Sequence, residues 1–147
     1  FEDAVAGRLP EREDDYLAAL VGGETHEGDW ALKLAADLDV FRASDLWHEI
    51  QASDRVFTEV PFGCPATGGD ANTVMRGVID LVYRSPEGWK IVDYKSDPVS
   101  SRRGVSAVVD RYRDQVMAYA HHWQEMAGEP VASAGLWLSE DGGCVLL

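Results

Sequence analysis

The sequence predicts a mixed α/β fold. Helices come first, an antiparallel meander follows, and about five strands in all form a central sheet flanked by helices. Three observations carry this. Up to residue 52, apolar residues recur at helical spacing. Between residues 56 and 95 they give way to β-branched and aromatic runs cut by turn-forming segments. Over 105–127 one apolar stripe (Tyr112, Val116, Tyr119, Trp123) returns at three- and four-residue spacing, and Gly128 and Pro130 end it.

In chain order, Pro10 opens a helical segment containing Tyr16, Leu17, Leu20 and Val21, stopped by Gly22 and Gly23. Trp30, Leu32, Leu34, Ala35 and Leu38 outline a second helix. Ser44 is the expected N-cap of a third, with Leu46, Trp47 and Ile50 as its apolar face. Residues 56–62 read as the first strand, and Pro61 marks either its end or a sheet edge. A loop over 65–72 leads to a strand over 73–83, a tight turn over 85–88 and a third strand over 89–94. Beyond the long helix, 131–138 is a fourth strand, 141–143 a turn, and 144–147 the start of a fifth.

Length and composition bound the function. A chain of 147 residues fits a single domain, here divided into a helical part (1–52) and a core (53–147). With 46% hydrophobic and 10% aromatic residues it is no disordered acidic tail. It contains no apolar run of the roughly 20 residues a membrane span needs, and its first residues do not form a signal peptide, so a cytoplasmic location without membrane contact is expected. The lack of a starting Met suggests a fragment of a longer chain. Cys64 and Cys144 lie far apart without a CxxC pair and read as free thiols.

Charge gives a more divided message. The net charge is −13, from 26 acids against 13 Lys and Arg, which argues against a generally basic coat for nucleic acid. Resolved along the chain, residues 1–55 hold 14 acids and 5 bases, whereas 84–113 hold 7 bases and 4 acids. The internal stretch therefore runs against the overall balance, as a solvated helix face also would.

Strand alternation puts Asp93 and Lys95 on one face of the third strand. The hairpin closed over 85–88 brings Asp80 alongside Asp93. Two carboxylates so close repel unless a cation lies between them, and hard oxygen ligands suit Mg²⁺ or Mn²⁺. Lys95 adds a positive charge able to hold an attacking water, and Glu59 on the first strand offers a further carboxylate. The competing reading is an exposed sheet face with a surface ion pair. Against it, Asp80 sits between Val78-Ile79 and Leu81-Val82, and Asp93 follows Ile91-Val92, surroundings where carboxylates are rare unless paired. Gly77 would leave room there for another backbone or a ligand.

Gly77-Val78-Ile79-Asp80, then Ile91-Val92-Asp93-Tyr94-Lys95, then Gln115 and Tyr119 four apart, resemble the ordered motifs of the PD-(D/E)XK nucleases. The RecB/AddA-type domain at the C-terminus of bacterial helicase–nucleases is the nearest pattern, and Glu59-Val60-Pro61-Phe62 also resembles it. The resemblance implies a restriction-endonuclease-like core with a central mixed sheet and a divalent-metal-dependent DNA nuclease. That nuclease would be the exonuclease module of a helicase–nuclease in double-strand-break repair. It implies Asp80, Asp93 and the Tyr94 backbone carbonyl as ligands of Mg²⁺ (or Mn²⁺), Lys95 as the residue positioning the water, and Glu59 as a near-site catalytic carboxylate. Gln115 and Tyr119 would line the site and contact DNA, with core packing the other role open to both; bases of a single strand could stack on Tyr112 or Tyr119, packing being the alternative there too. Arg102, Arg103 and Arg111 would face the phosphate backbone. The implied partners are linear or single-stranded DNA ends, a second helicase–nuclease subunit and a helicase motor in the same parent chain. The alternatives are a catalytically inactive DNA-binding or scaffolding domain and an unrelated acidic interaction domain.

One departure stands out. The family's pattern Gly-Thr-x-x-His-x-x-Leu-Glu is matched only at its end, by Phe1-Glu2, so its metal-binding His would precede residue 1. His26 and His48 read as surface or packing residues. Two cysteines cannot hold the four-cysteine cluster of the related iron–sulfur nucleases, and the chain carries no phosphate-binding loop of an ATP-driven motor.

Overall fold

A computed structural model describes residues 1–8, 27–65, 74–97, 99, 102–139 and 143–147. Helices α1 (Glu2–Val5), α2 (Glu27–Arg42) and α3 (Asp45–Ala52) precede strands β1 (Val56–Pro65), β2 (Val74–Ser85) and β3 (Gly88–Lys95). Helix α4 (Arg102–Ala127) then leads to β4 (Val131–Leu138) and β5 (Gly143–Leu146). The strands form one sheet in sequence order. β1–β2, β2–β3 and β4–β5 pair antiparallel and β3–β4 parallel, so the expected mixed five-stranded sheet flanked by helices is present. The helix expected from Pro10, the loop after Pro65 and His26 lie outside the described residues.

Local chemistry accounts for the elements. Ser44 caps α3, its hydroxyl accepting the Trp47 N–H at 3.2 Å. Ser85 Oγ accepts the Glu87 N–H at 3.3 Å in the β2–β3 turn, and Gly88 supplies its φ of 146°. Parallel pairing of β3 with β4 needs a long crossover, which the 26 residues of α4 provide. Pro61 pairs with Val78 inside β1, which runs on to Pro65. Of the two roles open to it, Pro61 therefore marks the sheet edge, where its missing N–H costs no ladder bond.

Both sheet faces are covered. On one, α4 lays Val116, Tyr119 and Trp123 over Ile79, Val82, Trp89, Ile91, Leu136 and Leu138. On the other, Leu38 and Phe41 of α2 and Leu46 and Ile50 of α3 cover Leu81, Tyr83, Val92 and Trp137. Such double burial explains why β4 carries an unbroken apolar run at its end. Among the described residues no helix is long and apolar enough to cross a membrane. Cys144 is an exposed free thiol, and the Cys64 side chain lies outside the described part.

Two glycines are fixed by close approach. A Cβ at Gly135 would lie 2.5 Å from the Val145 carbonyl oxygen, so only glycine lets β5 come this near β4. A Cβ at Gly77 would lie 2.5 Å from Phe62 Cε1. The space at Gly77 thus holds an aromatic ring rather than a ligand. Gly135→Ala should destabilise the fold by about 1–3 kcal/mol, because a backbone atom must move. Gly77→Ala should cost a similar amount, and Phe62→Leu should recover part of that loss. Denaturant midpoints of the single and double variants check both statements.

Candidate active site

The site begins with a break in strand alternation. On β2, Val82 and Ile79 both enter the α4 layer although they are three residues apart, while Leu81 between them enters the opposite layer. The alternation therefore slips by one residue at Asp80. On β1 the same slip falls at Glu59. Phe57 meets Trp89 and Trp123 of the α4 layer at 6.0 and 5.7 Å, and Val60 and Phe62 enter that layer too. Glu59 takes a φ of 53°, in the left-handed region rarely occupied by a residue with a side chain. Thr58 pairs with Leu81 and Val60 with Ile79, which puts Glu59 opposite Asp80.

The β2–β3 ladder is regular to Leu81–Val92. One step further, Asp80 comes opposite Asp93, and a carboxylate takes over the ladder: Asp80 Oδ2 accepts the Tyr94 N–H at 2.8 Å. Asp93 and Lys95 point into the α4 layer with Ile91, as their spacing predicts. Asp93 is only 1% exposed. Its Oδ2 meets the Lys95 ammonium as an ion pair and among the described residues has no further hydrogen-bond donor.

Electrostatics follow from this enclosure. Burial raises the Asp80 pKa to about 6, assisted by the negative charges of Asp93 and Glu2 and opposed by the Tyr94 N–H. For Lys95, burial acts to lower the pKa, but the Asp93 hydrogen bond and the charges of Asp93 and Asp80 outweigh it and hold the ammonium above the ordinary lysine value.

Helix α4 completes the floor. The Lys95 Nζ lies 4.5 Å from the centre of the Tyr112 ring. Tyr112 Oη donates to Asp97 Oδ2 at 3.1 Å, and Arg111 donates to Asp97 Oδ1 at 2.7 Å. Gln115 Nε2 donates to Tyr119 Oη. Tyr119 is 5% exposed and meets Phe62 edge-on at 5.0 Å. The ring of Tyr119 is therefore core, and its hydroxyl meets the exposed Gln115.

The structure thus brings Asp80, Asp93, Tyr94 and Lys95 together and sends Glu59 elsewhere. Its carboxylate, 63% exposed, turns to Arg8 Nη2 at 3.4 Å. Among the described residues no group of three or more His, Cys, Asp or Glu is placed to hold a metal. Arg103 and Arg111 are exposed on α4, and the Arg102 side chain lies outside the described part. His48 is exposed on α3, across the sheet from Asp93. Two residues escaped sequence reasoning. Glu2 is close enough for its charge to act on Asp80. Tyr112 was legible as part of the α4 stripe and as a base-stacking surface, but not as a partner of Lys95.

A family model described as the PD-(D/E)XK nuclease superfamily matches residues 2–144. Curated relatives named as ATP-dependent helicase/nuclease subunits include that of Desulforamulus reducens, 34% identical over 71% of this chain and 9% of the relative. That of Staphylococcus carnosus is 34% identical over 63% of this chain and 8% of the relative. That of Levilactobacillus brevis is 27% identical over 92% and 12%. The chain thus spans about a tenth of the length of these relatives.

The Asp80 shift has a checkable sign. Because its folded-state pKa of about 6 lies above the ordinary value of 3.8, protonation favours the fold. That contribution is complete below the lower value and is lost as pH rises through the upper one. Asp80→Asn, always neutral, should therefore melt higher than the wild type at pH 7 in chelator, with the advantage fading towards pH 4. A variant that melts lower at pH 7 contradicts the raised pKa of this carboxylate.

Proposed function

The chain belongs to the PD-(D/E)XK nuclease superfamily, and on that premise we propose that it is a divalent-metal-dependent DNA nuclease domain hydrolysing phosphodiester bonds. The observation that carries this reading is the enclosed Asp93 Oδ2, bare of donors except the Lys95 ammonium, with the Asp80 carboxylate in the neighbouring strand. Two hard carboxylates whose charges are costly in their surroundings fit a hard cation, Mg²⁺ or Mn²⁺. Asp80, Asp93 and the Tyr94 carbonyl would hold it. When bound, it would supply Lewis-acid activation of water and neutralise phosphoryl charge.

The chain's own groups take the remaining roles. Lys95 orients the attacking water and offers a fixed positive charge beside the phosphoryl group. Asp93 holds that ammonium in place. Gln115, the Tyr119 hydroxyl, Arg102, Arg103 and Arg111 line the path of the DNA backbone. Glu59 acts at a distance, by balancing Arg8 at the rim. Residues 1–52 serve as a helical support and 53–147 as the catalytic core.

The curated relatives are named as helicase/nuclease subunits. The proposed setting is therefore the exonuclease module of such an enzyme in cytoplasmic double-strand-break repair, acting on linear or single-stranded DNA ends. The helicase motor would stand in the same parent chain, and the partner would be a second helicase–nuclease subunit.

Cleavage of linear DNA with Mg²⁺, against a chelator control, tests the reading. Lys95→Ala should lower the rate by about 10²-fold or more, and Asp93→Asn should remove metal-dependent cleavage, with both variants folded. Equal cleavage by wild type and Lys95→Ala would overturn the nuclease assignment and leave a DNA-binding or scaffolding role.

A further inference from the structure

We infer that Tyr112, anchored by Asp97, is a positioning residue for the Lys95 ammonium. The inference rests on the proposed nuclease reading for its purpose, but its geometry stands independently.

A lysine side chain has four rotatable bonds, and a single carboxylate restrains its ammonium from one side only. Lys95 has a second restraint. Its Nζ lies over the Tyr112 ring, 4.5 Å from the centre, while also paired to Asp93. The Lys95 side chain is only 16% exposed, so water competes weakly for the ammonium and the attraction of the ring face is felt strongly. The ring is itself fixed. Tyr112 projects from the middle of the 26-residue α4, and its hydroxyl bonds Asp97 at 3.1 Å. Asp97 is held in turn by Arg111 at 2.7 Å. Because Asp97 lies two residues beyond Lys95, the contacts close a ring, from Lys95 to Tyr112 to Asp97 and back along the chain. The helix thereby holds the end of β3 and its ammonium as one unit.

This geometry assigns Tyr112 differently from a base-stacking platform. The Lys95 ammonium and the Arg111 guanidinium, whose Cζ is 5.9 Å from the ring centre, both lie by its π-system. Tyr112 therefore acts through Lys95 rather than on the nucleic acid.

The test combines a spectral and a kinetic arm on the full chain. The sequence has only three lysines, Lys33, Lys90 and Lys95. The Lys95 ε-methylene signal can thus be assigned in a ¹H–¹³C spectrum by its loss in Lys95→Ala. Over an aromatic face that signal should lie upfield of the other two. Tyr112→Leu should return it to the ordinary position, and Tyr112→Phe should leave it upfield. In Mg²⁺-dependent cleavage, Tyr112→Leu should lower kcat about tenfold or more with KM for DNA within about twofold. Tyr112→Phe, which keeps the ring but loses the bond to Asp97, should fall between that variant and the wild type. If Tyr112→Leu does not melt cooperatively, Tyr112→Met, similar in bulk but without the ring, replaces it.

A Lys95 signal unmoved by Tyr112→Leu overturns the inference. So does wild-type kcat in that folded variant, or a loss confined to KM, which would make Tyr112 a DNA contact. A wild type without Lys95-dependent cleavage overturns the nuclease reading and the purpose given to the contact, whereas the spectral arm separately decides whether the contact exists.

Discussion

The hydrogen bond from the Tyr94 N–H to the Asp80 carboxylate is the constraint from which the site follows. A peptide N–H in the interior must find an acceptor, and in a regular hairpin it would find a strand carbonyl. Here β2 stops supplying one after Leu81–Val92. The substitution of a side chain for a backbone acceptor draws Asp80 in towards β3. It can happen because the side-chain alternation of β2 slips at the same residue. The slip is shared by β1 at Glu59, where a positive φ absorbs it. Without the two slips, Ile79 of β2 and Val60 of β1 would turn away from the α4 layer and leave it short of apolar contacts. The irregularity is therefore a property of two strands together, stabilised by the core on either side of it.

The same arrangement sets an electrostatic tension. Asp93 is enclosed, Asp80 is largely so, and one ammonium serves both. An unbalanced charge in such a place opposes folding, which is why Asp80 holds its proton more tightly than an exposed aspartate does. Stability and the proposed chemistry thus pull in opposite directions at one residue. Lys95 lies at the centre of the tension. Its long side chain is fixed by a carboxylate on its own strand and an aromatic ring on the helix that follows, so neither strand nor helix alone determines where its charge stands.

Much of this was legible in the sequence because it rests on periodicity. The hairpin closed by Ser85 and Gly88 and the period-two spacing of Asp93 and Lys95 predicted the pairing of Asp80 with Asp93. The Ser44 cap and the α4 stripe marked out the helices. The slip at Glu59 was not legible, since positive φ is a signal carried by glycine and glutamate gives none. Glu59 accordingly turned to Arg8, away from the two aspartates its register faces. Gly77 announced a close approach without saying by what, and only the fold reveals the Phe62 ring. The contribution of Glu2 depends on α1 returning to the sheet through Phe1, whose ring meets Phe41 and Tyr94 at 4.9 and 5.2 Å. No local pattern encodes so distant a contact.

The net charge of −13 is compatible with a phosphodiester substrate only through local charge. Four of the bases between residues 84 and 113 are paired with acids of the fold: Arg84 with Glu129, Lys90 with Glu49, Lys95 with Asp93 and Arg111 with Asp97. The positive stretch read from the sequence is therefore weaker at the surface than its count suggests. At the site itself, the carboxylates of Asp80, Asp93 and the nearby Glu2 against the Lys95 ammonium leave two negative charges, which repel phosphate and attract cations. A divalent ion of the proposed kind would cancel that charge and remove the repulsion. The N-terminal half of α4, with exposed Arg103 and the positive end of the helix dipole, lies on the same side of the sheet. On the proposed function the acidic site is thus not an obstacle to DNA: it makes attraction of the substrate depend on the metal that the reaction requires.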